Sequence, residues 1–293
     1  MDQSAKNIHT LHEGIAIPSH DDTGRSKNPL IFGFTGASGG VGVTVSSIQA
    51  AYHLSRQTNL LGQPLKTCLL SLDFENSALS QYLDLEPSVS IAEFQIDPAK
   101  VDASLCQNWM IKTAAGFDVL ILPGTVNGNA LVNPNTVLAF LDQMCELYDA
   151  IVLDIPRLWS RWTHAALGAA DRVGMLAELN VPSLHFARTR SAEILKTVNE
   201  LSKFEFIINK FERRSFRNSV KLSDAESALR EAFLHTISVS QDKLRDALNR
   251  GEPLGVSHGE ARVTRDINVI LDDWTKTELA RREHEGLRMA TNR

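Results

Sequence analysis

A doubly wound, mostly parallel α/β sheet with helices on both faces is the fold the sequence predicts. Three observations carry it. Seven short apolar runs lack polar alternation, the stretches between them place apolar residues three and four apart, and a glycine-rich turn joins the first run to the first such stretch. The chain has 293 residues, 43% of them apolar and 22% charged, which is ample material for one large core.

The elements follow in order. LIFGFT (30–35) reads as the first strand and Val43–Leu54 as the helix after it. TCLLSL (67–72) and DVLILP (118–123) are further buried strands, followed by a helix over Asn135–Leu147 and the strand AIVLDIP (150–156). RVGMLAEL (172–179) precedes a helix over Pro182–Leu201, whose proline suits a first turn. FEFIIN (204–209), the helix Leu222–Phe233, HTISVS (235–240) and the helical Lys243–Leu248 complete the pattern, with Gly251 and Pro253 as the stop. Strand then helix, repeated, implies right-handed crossovers. Residues 1–28 are polar without a sustained period and are expected to form a flexible arm, 29–274 a single α/β domain, and 275–293 a charged tail with five basic and three acidic residues.

Composition excludes several function classes. Thirty Lys plus Arg against 35 Asp plus Glu leave a net charge of −5, so no global positive field favours nucleic acid or acidic lipid. Cys68, Cys106 and Cys145 are isolated, which argues against a disulfide framework or thiolate metal site and for a reducing cytoplasm. The nine histidines never take metal-ligand spacing, and no apolar stretch approaches the ~20 residues that span a bilayer.

The sharpest feature is Gly36-Ala37-Ser38-Gly39-Gly40-Val41-Gly42-Val43-Thr44, between a strand and a helix. Glycines let backbone N–H groups converge without β-carbon obstruction, and a helix start supplies unpaired donors and the positive end of its dipole. Such a loop binds phosphate. A dinucleotide dehydrogenase is one reading, with Asp73 imitating the ribose acid, but Asp73 lies 31 residues beyond Gly42, longer than the ~20 usual. The Tyr-x-x-x-Lys pair of a short-chain reductase is also missing, since Tyr52, Tyr82 and Tyr148 are followed at that offset by Arg56, Glu86 and Val152. Only 35 residues precede Gly36, too few for the catalytic domain of a medium-chain reductase.

The better reading is a deviant Walker nucleotide loop, K-G-G-x-G-K-[ST]. Ser38 stands where the signature lysine would be, Val43 replaces the second lysine, and Thr44 keeps the hydroxyl that ligates Mg²⁺. A charged hydrogen bond is worth about 1.5–3 kcal/mol, and losing a donor where transition-state charge develops costs a further ~10²–10³ in rate. Nucleotide binding is therefore expected to survive weakly and hydrolysis to be weak or absent. Asp154 ends an apolar strand as a Walker B acid that holds Mg²⁺ through water, and Asp73 ends another where it can orient an attacking water.

These residues resemble the ParA/MinD-type deviant Walker ATPases, and within them the CpaE/TadZ branch. The broad likeness lies in GASGGVGVT, in SLDFE for the D-x-D-x-Q stretch and in LDIP. The narrower one lies in QYLDLEPSVSIAEF (81–94), DIPRLWSRWTHAAL (154–167) and ALNRGEPL (247–254). The likeness covers about residues 30–272. It implies a P-loop fold of ParA/MinD type that binds ATP or ADP with Mg²⁺. The phosphate cradle would be the amides of Gly39, Gly40, Val41, Gly42, Val43, Thr44 and Val45, with Thr44 and Asp154 at the metal and Asp73 catalytic if the enzyme turns over. Ser71 replaces the first acid of D-x-D-x-Q and Glu75 its Gln. The resemblance further implies that Asn209 reads adenine, that Ser238–Asp242 closes over the base, and that Arg157 lends charge the loop lacks. Trp159 and Trp162 read equally as a partner-facing pair or as inter-helix packing.

The function implied is a cytoplasmic, homodimeric localisation or scaffold protein of Flp (Tad) type IV pilus assembly, at the cell pole or inner face of the membrane. Its partners would be other pilus or secretion proteins, with membrane contact only through them and nucleic acid not expected. The alternative is an active ATPase of the same class that positions a cellular cargo or DNA. The 28-residue arm is too short for the receiver-like domain that many branch members carry.

Overall fold

The computed structural model describes residues 28–59, 62–198, 203–212, 220–229 and 234–291, so the expected arm and the ends of two expected helices, at 199–201 and 230–233, lie outside the described residues. In chain order the strands and helices are β1 (Leu30–Gly36), α1 (Val43–Ser55), β2 (Thr67–Ser71), α2 (Leu79–Leu83), α3 (Ile91–Phe94), α4 (Ala103–Trp109), β3 (Ile111–Lys112) and β4 (Asp118–Leu120). They continue with α5 (Gly128–Leu131), α6 (Pro134–Leu147), β5 (Ala150–Asp154), α7 (Arg161–Ala169), β6 (Arg172–Glu178), α8 (Val181–Val198) and β7 (Phe204–Phe211). The last are α9 (Leu222–Leu229), β8 (Leu234–Ser238), α10 (Gln241–Asn249), α11 (Leu254–Ser257) and α12 (Arg262–Thr291).

The strands form one sheet in the order β3-β4-β2-β5-β1-β6-β7-β8. Every pairing is parallel except the two-residue β3 against β4, an edge too short to leave a sequence signal. Each of the seven expected strands is present, most of them shorter than its apolar run. β1 sits between β5 and β6, and its carboxyl end is a switch point, because the chain leaves β1 through α1 toward β2 but returns later to fill both neighbouring positions. Asp73 would adjoin the loop directly only if β1 and β2 were neighbours in the sheet. β5 lies between those strands, so Asp154 is the nearer acid, with Ser71 of β2 in register with it.

Alternate residues of each strand face different layers. Phe32, Phe34, Leu69, Val152, Leu176 and Ile207 are buried on the side packed by α1 and α12. Cys68, Leu70, Ile151, Leu153, Met175 and Phe206 are buried on the side packed by α6, α7 and α8. The three cysteines are thiols, and burial pushes those of Cys106 and Cys145 up to about 12, so they act as small apolar groups rather than nucleophiles.

α12 does not break at Trp274, where the sequence suggests the start of a solvated tail. Trp274 is fully buried, with its ring centroid 5.4 Å from that of Phe34 and its Nε1 donating to Glu205 at 2.6 Å. The helix then buries Glu278 against Arg172 (2.8 Å) and Arg282 against Asp171 (2.8 Å). Asp171 also accepts from the Ile31 amide at 2.9 Å. A charged helical period concealed this role, because ion pairs at the bottom of a sheet resemble a solvated face when only the residue types are read.

Burial alone would raise the Glu205 carboxyl, but hydrogen bonds from His235 and Trp274 and the charges of His235 and Arg172 hold it below the usual glutamate range near 4.5. A depressed carboxylate contributes stability above its unfolded value, and that contribution fades as pH falls through the folded one. Glu205→Gln should therefore destabilise the protein at pH 7, by about 1–3 kcal/mol, because His235 and Trp274 lose a charged acceptor while Arg172 keeps Glu278 as its counter-ion. The deficit should shrink toward pH 3, as urea unfolding at both pH values would show. Trp274→Ala should cost more, ~3–5 kcal/mol, at both.

Candidate functional site

The glycine loop leaves β1 and is pinned at its base where the Ala37 amide donates to the Leu176 carbonyl at 2.8 Å. Gly40 and Gly42 take φ of +73° and +97°, a left-handed geometry costly for a residue with a β-carbon. At Gly42 a β-carbon would also strike Asn209 Nδ2. Gly42 is the N-cap of α1, and no side chain caps its amides there; the first turn also lacks an acidic residue. Helix donors that a capping side chain satisfies elsewhere are thus left open at the loop.

A cavity of about 640 Å³ opens over these amides. Its lining brings together Gly39, Gly40, Val41, Gly42, Val43, Thr44, Val45, Asp73, Asp154, Arg157 and Asn209, and the Ser238–Gln241 segment. The Thr44 hydroxyl donates to Asp154 Oδ2 at 2.9 Å. Burial pushes the Asp154 carboxyl up to about 7, against the Thr44 hydrogen bond, and the Asp73 charge adds to the rise. A hydroxyl and a carboxylate are the hard oxygen donors that Mg²⁺ takes alongside several waters, and a divalent cation would relieve two neighbouring acids, so this donor set fits that ion. Asp73 accepts from the Glu75 and Asn76 amides at 3.1 and 2.9 Å, which fixes its turn.

Asn209 is held differently from an open base reader: its Nδ2 donates to the Val41 carbonyl at 2.7 Å, tying the end of β7 to the loop. Arg157 Nη2 lies 3.6 Å from the position a Gly39 β-carbon would take, so its guanidinium covers the loop. Glu75 turns away from the cavity and accepts from Asn129 Nδ2 at 3.1 Å. Trp162 is buried and donates to the Leu72 carbonyl at 3.3 Å, whereas Trp159 stays exposed, stacked on His164 and lying under Arg190. The pair therefore divides between packing and surface.

No motif in the sequence marks Lys210 as a site residue. It lines the cavity, and its Nζ donates to the Gly40 carbonyl at 2.9 Å and to Glu178 Oε1 at 2.6 Å. The available signal was its adjacency to Asn209 at the end of an apolar strand. Tyr82, Leu248, Val263 and Ile267 add an apolar wall from α2, α10 and α12 that no single motif announces.

The topology agrees with solved structures of one kind. Over 83% of this chain and 98% of the other, it superposes on a ParA family ATPase from Chlorobium tepidum TLS with a TM-score of 0.71 at 18% identity. The chain has the ParA/MinD fold. MinD from Pyrococcus horikoshii, solved as a complex with Mg-ADP, matches at a TM-score of 0.65 and 15% identity over 84% of this chain and 95% of that one. In sequence the chain is similar to the septum site-determining protein MinD of Thermotoga maritima, 24% identical over 240 residues, which are 80% of this chain and 84% of that protein. No protein-family model matches. Within the ParA/MinD fold the cavity described here lies where the chain leaves β1, and no described helix is long and apolar enough to cross a membrane.

Two substitutions probe the loop. Gly42→Ala must place a β-carbon at positive φ against Asn209 and should cost about 1–3 kcal/mol in thermal or urea unfolding. Asp154→Asn removes the buried member of two neighbouring acids and should raise the melting temperature of the protein without added Mg²⁺, while abolishing any stabilisation by Mg²⁺ with nucleotide.

Proposed function

We propose that this chain is a ParA/MinD-family protein that binds ATP or ADP with Mg²⁺ and serves as a localisation scaffold for Flp (Tad) pilus assembly, with little or no hydrolysis. The observation that carries the nucleotide reading is the uncapped start of α1, whose amides open into a cavity beside the Thr44–Asp154 pair. In this reading the amides from Gly39 to Val45 hold the phosphates, and Thr44 and Asp154 hold Mg²⁺, which offsets phosphate charge. Arg157 adds a guanidinium over Gly39, and the Ser238–Gln241 segment with its apolar wall encloses the base.

The scaffold half rests on chemistry that is absent. Ser38 and Val43 carry no charge, so the loop has no ammonium to stabilise a transferring phosphoryl group. The pilus assignment rests on the segments 81–94, 154–167 and 247–254. A homodimer or partner surface draws support from Leu158, Trp159, Val181 and Phe186, exposed apolar residues after β5 and on α8, at the end of the sheet that carries the cavity. The competing reading, an active ATPase that positions cargo, is favoured by one observation: Asp73 lines the cavity and remains available to orient water.

Equilibrium titration with ATP and ADP should show binding strengthened by Mg²⁺, and no binding at millimolar nucleotide would contradict the nucleotide reading. In a strain lacking this chain, pilus assembly should fail and be restored by Asp73→Ala as well as by the wild type. Restoration by the wild type alone, with phosphate release abolished by Asp73→Ala, would favour the active ATPase.

A further inference from the structure

We propose that Lys210 is the cation that acts on the nucleotide phosphates in place of the absent loop lysine, and that Glu178 holds its ammonium until phosphate takes it over. The inference rests on the nucleotide-binding reading above and adds the residue that makes a lysine-free loop workable.

Among the described residues that line the cavity, only Arg157 and Lys210 are cationic. They approach from different sides, Arg157 from the loop after β5 and Lys210 from the end of β7, with β1 and its loop between those strands in the sheet. Arg157 covers Gly39, and Lys210 bonds the Gly40 carbonyl. Each therefore stands beside the amide cradle without belonging to it, as a charge on a phosphate must.

The backbone explains how Lys210 arrives there. The β7–β8 pairing is irregular between Ile208 and Phe211, and Lys210 takes a φ of +55°, where its neighbours continue the strand. That conformation is unfavourable for a residue with a β-carbon, and here the Lys210 amide donates to Asn209 Oδ1 at 2.8 Å, which supports the turn. In a regular strand Asn209 and Lys210 would point to opposite faces; the left-handed step lets both reach the glycine loop, one at Val41 and one at Gly40. Strain kept at a cavity wall points to use.

The ion pair suits a hand-over. The Lys210 side chain is 46% exposed and that of Glu178 32%, so water screens their attraction and the pair is weak despite its 2.6 Å contact. An ammonium has three donors, of which these two bonds use two. A polyphosphate bound at the neighbouring amides offers more negative charge than one carboxylate, and drawing the ammonium inward leaves Glu178 to solvent.

The test uses the full chain and compares ATP, ADP and AMP, each with Mg²⁺, by equilibrium binding. Lys210→Gln should weaken ATP about tenfold to hundredfold and AMP far less, because the lost charge acts on the outer phosphates. Lys210→Arg should retain most of the affinity, and Glu178→Gln should tighten ATP by freeing the ammonium. Lys210→Gly should melt no lower than the wild type in the absence of nucleotide, since glycine relieves the left-handed backbone, and should still lose ATP affinity. The proposal is overturned if the wild type binds ATP and Lys210→Gln binds it equally well, or if it loses ATP and AMP by the same factor, which would mark Lys210 as a structural lock on the loop. Absence of any nucleotide binding by the wild type would instead overturn the nucleotide reading itself, and Lys210's role with it.

Discussion

The geometry of the site depends on one constraint: a helix begins at Gly42 with its amide donors satisfied by no side chain. A helix start without a cap leaves its donors to water or to a ligand, and the sheet directs those donors into an open cavity. The surrounding choices follow from keeping them exposed. Gly40 and Gly42 take left-handed backbone, Asn209 ties Val41 back from β7, and the Ala37 amide anchors the loop to β6. None of these contacts uses a charged side chain within the loop.

Charge is then supplied from outside. Asp154 and Asp73 face the cavity as neighbouring acids, which is why burial and mutual repulsion push Asp154 upward. A divalent cation beside them would turn that repulsion into binding. Arg157, in the loop after β5, and Lys210, on β7, bring positive charge to the glycine loop without occupying its two lysine positions. In the reading proposed above, such a site would hold nucleotide rather than transform it, because fixed amides stabilise a bound phosphate whereas transition-state charge calls for a cation at the bond that breaks.

Much of this was legible in the sequence. Buried parallel strands read as apolar runs, so all seven were visible, and so was the glycine loop between strand and helix. The acids at the ends of LDIP and SLDFE were visible for the same reason. Features that depend on long-range pairing were not. Strand order put β5 between β1 and β2, which no local pattern encodes. The ion pairs of Glu205, Arg172 and Glu278 join residues more than 30 positions apart, so a buried network at the end of α12 looked like a solvated tail. Lys210 was hidden because a strand pattern predicts alternation, and its left-handed step breaks it.

The central claim is that the main-chain amides from Gly39 to Thr44 grip phosphate. Hydrogen exchange of those amides, measured with and without saturating Mg-ATP, tests it most directly. The account predicts strong slowing across the loop and the first turn of α1, with little change in β3 or α9, which lie toward the two edges of the sheet. Nucleotide binding that leaves the loop amides exchanging at their original rate would contradict it.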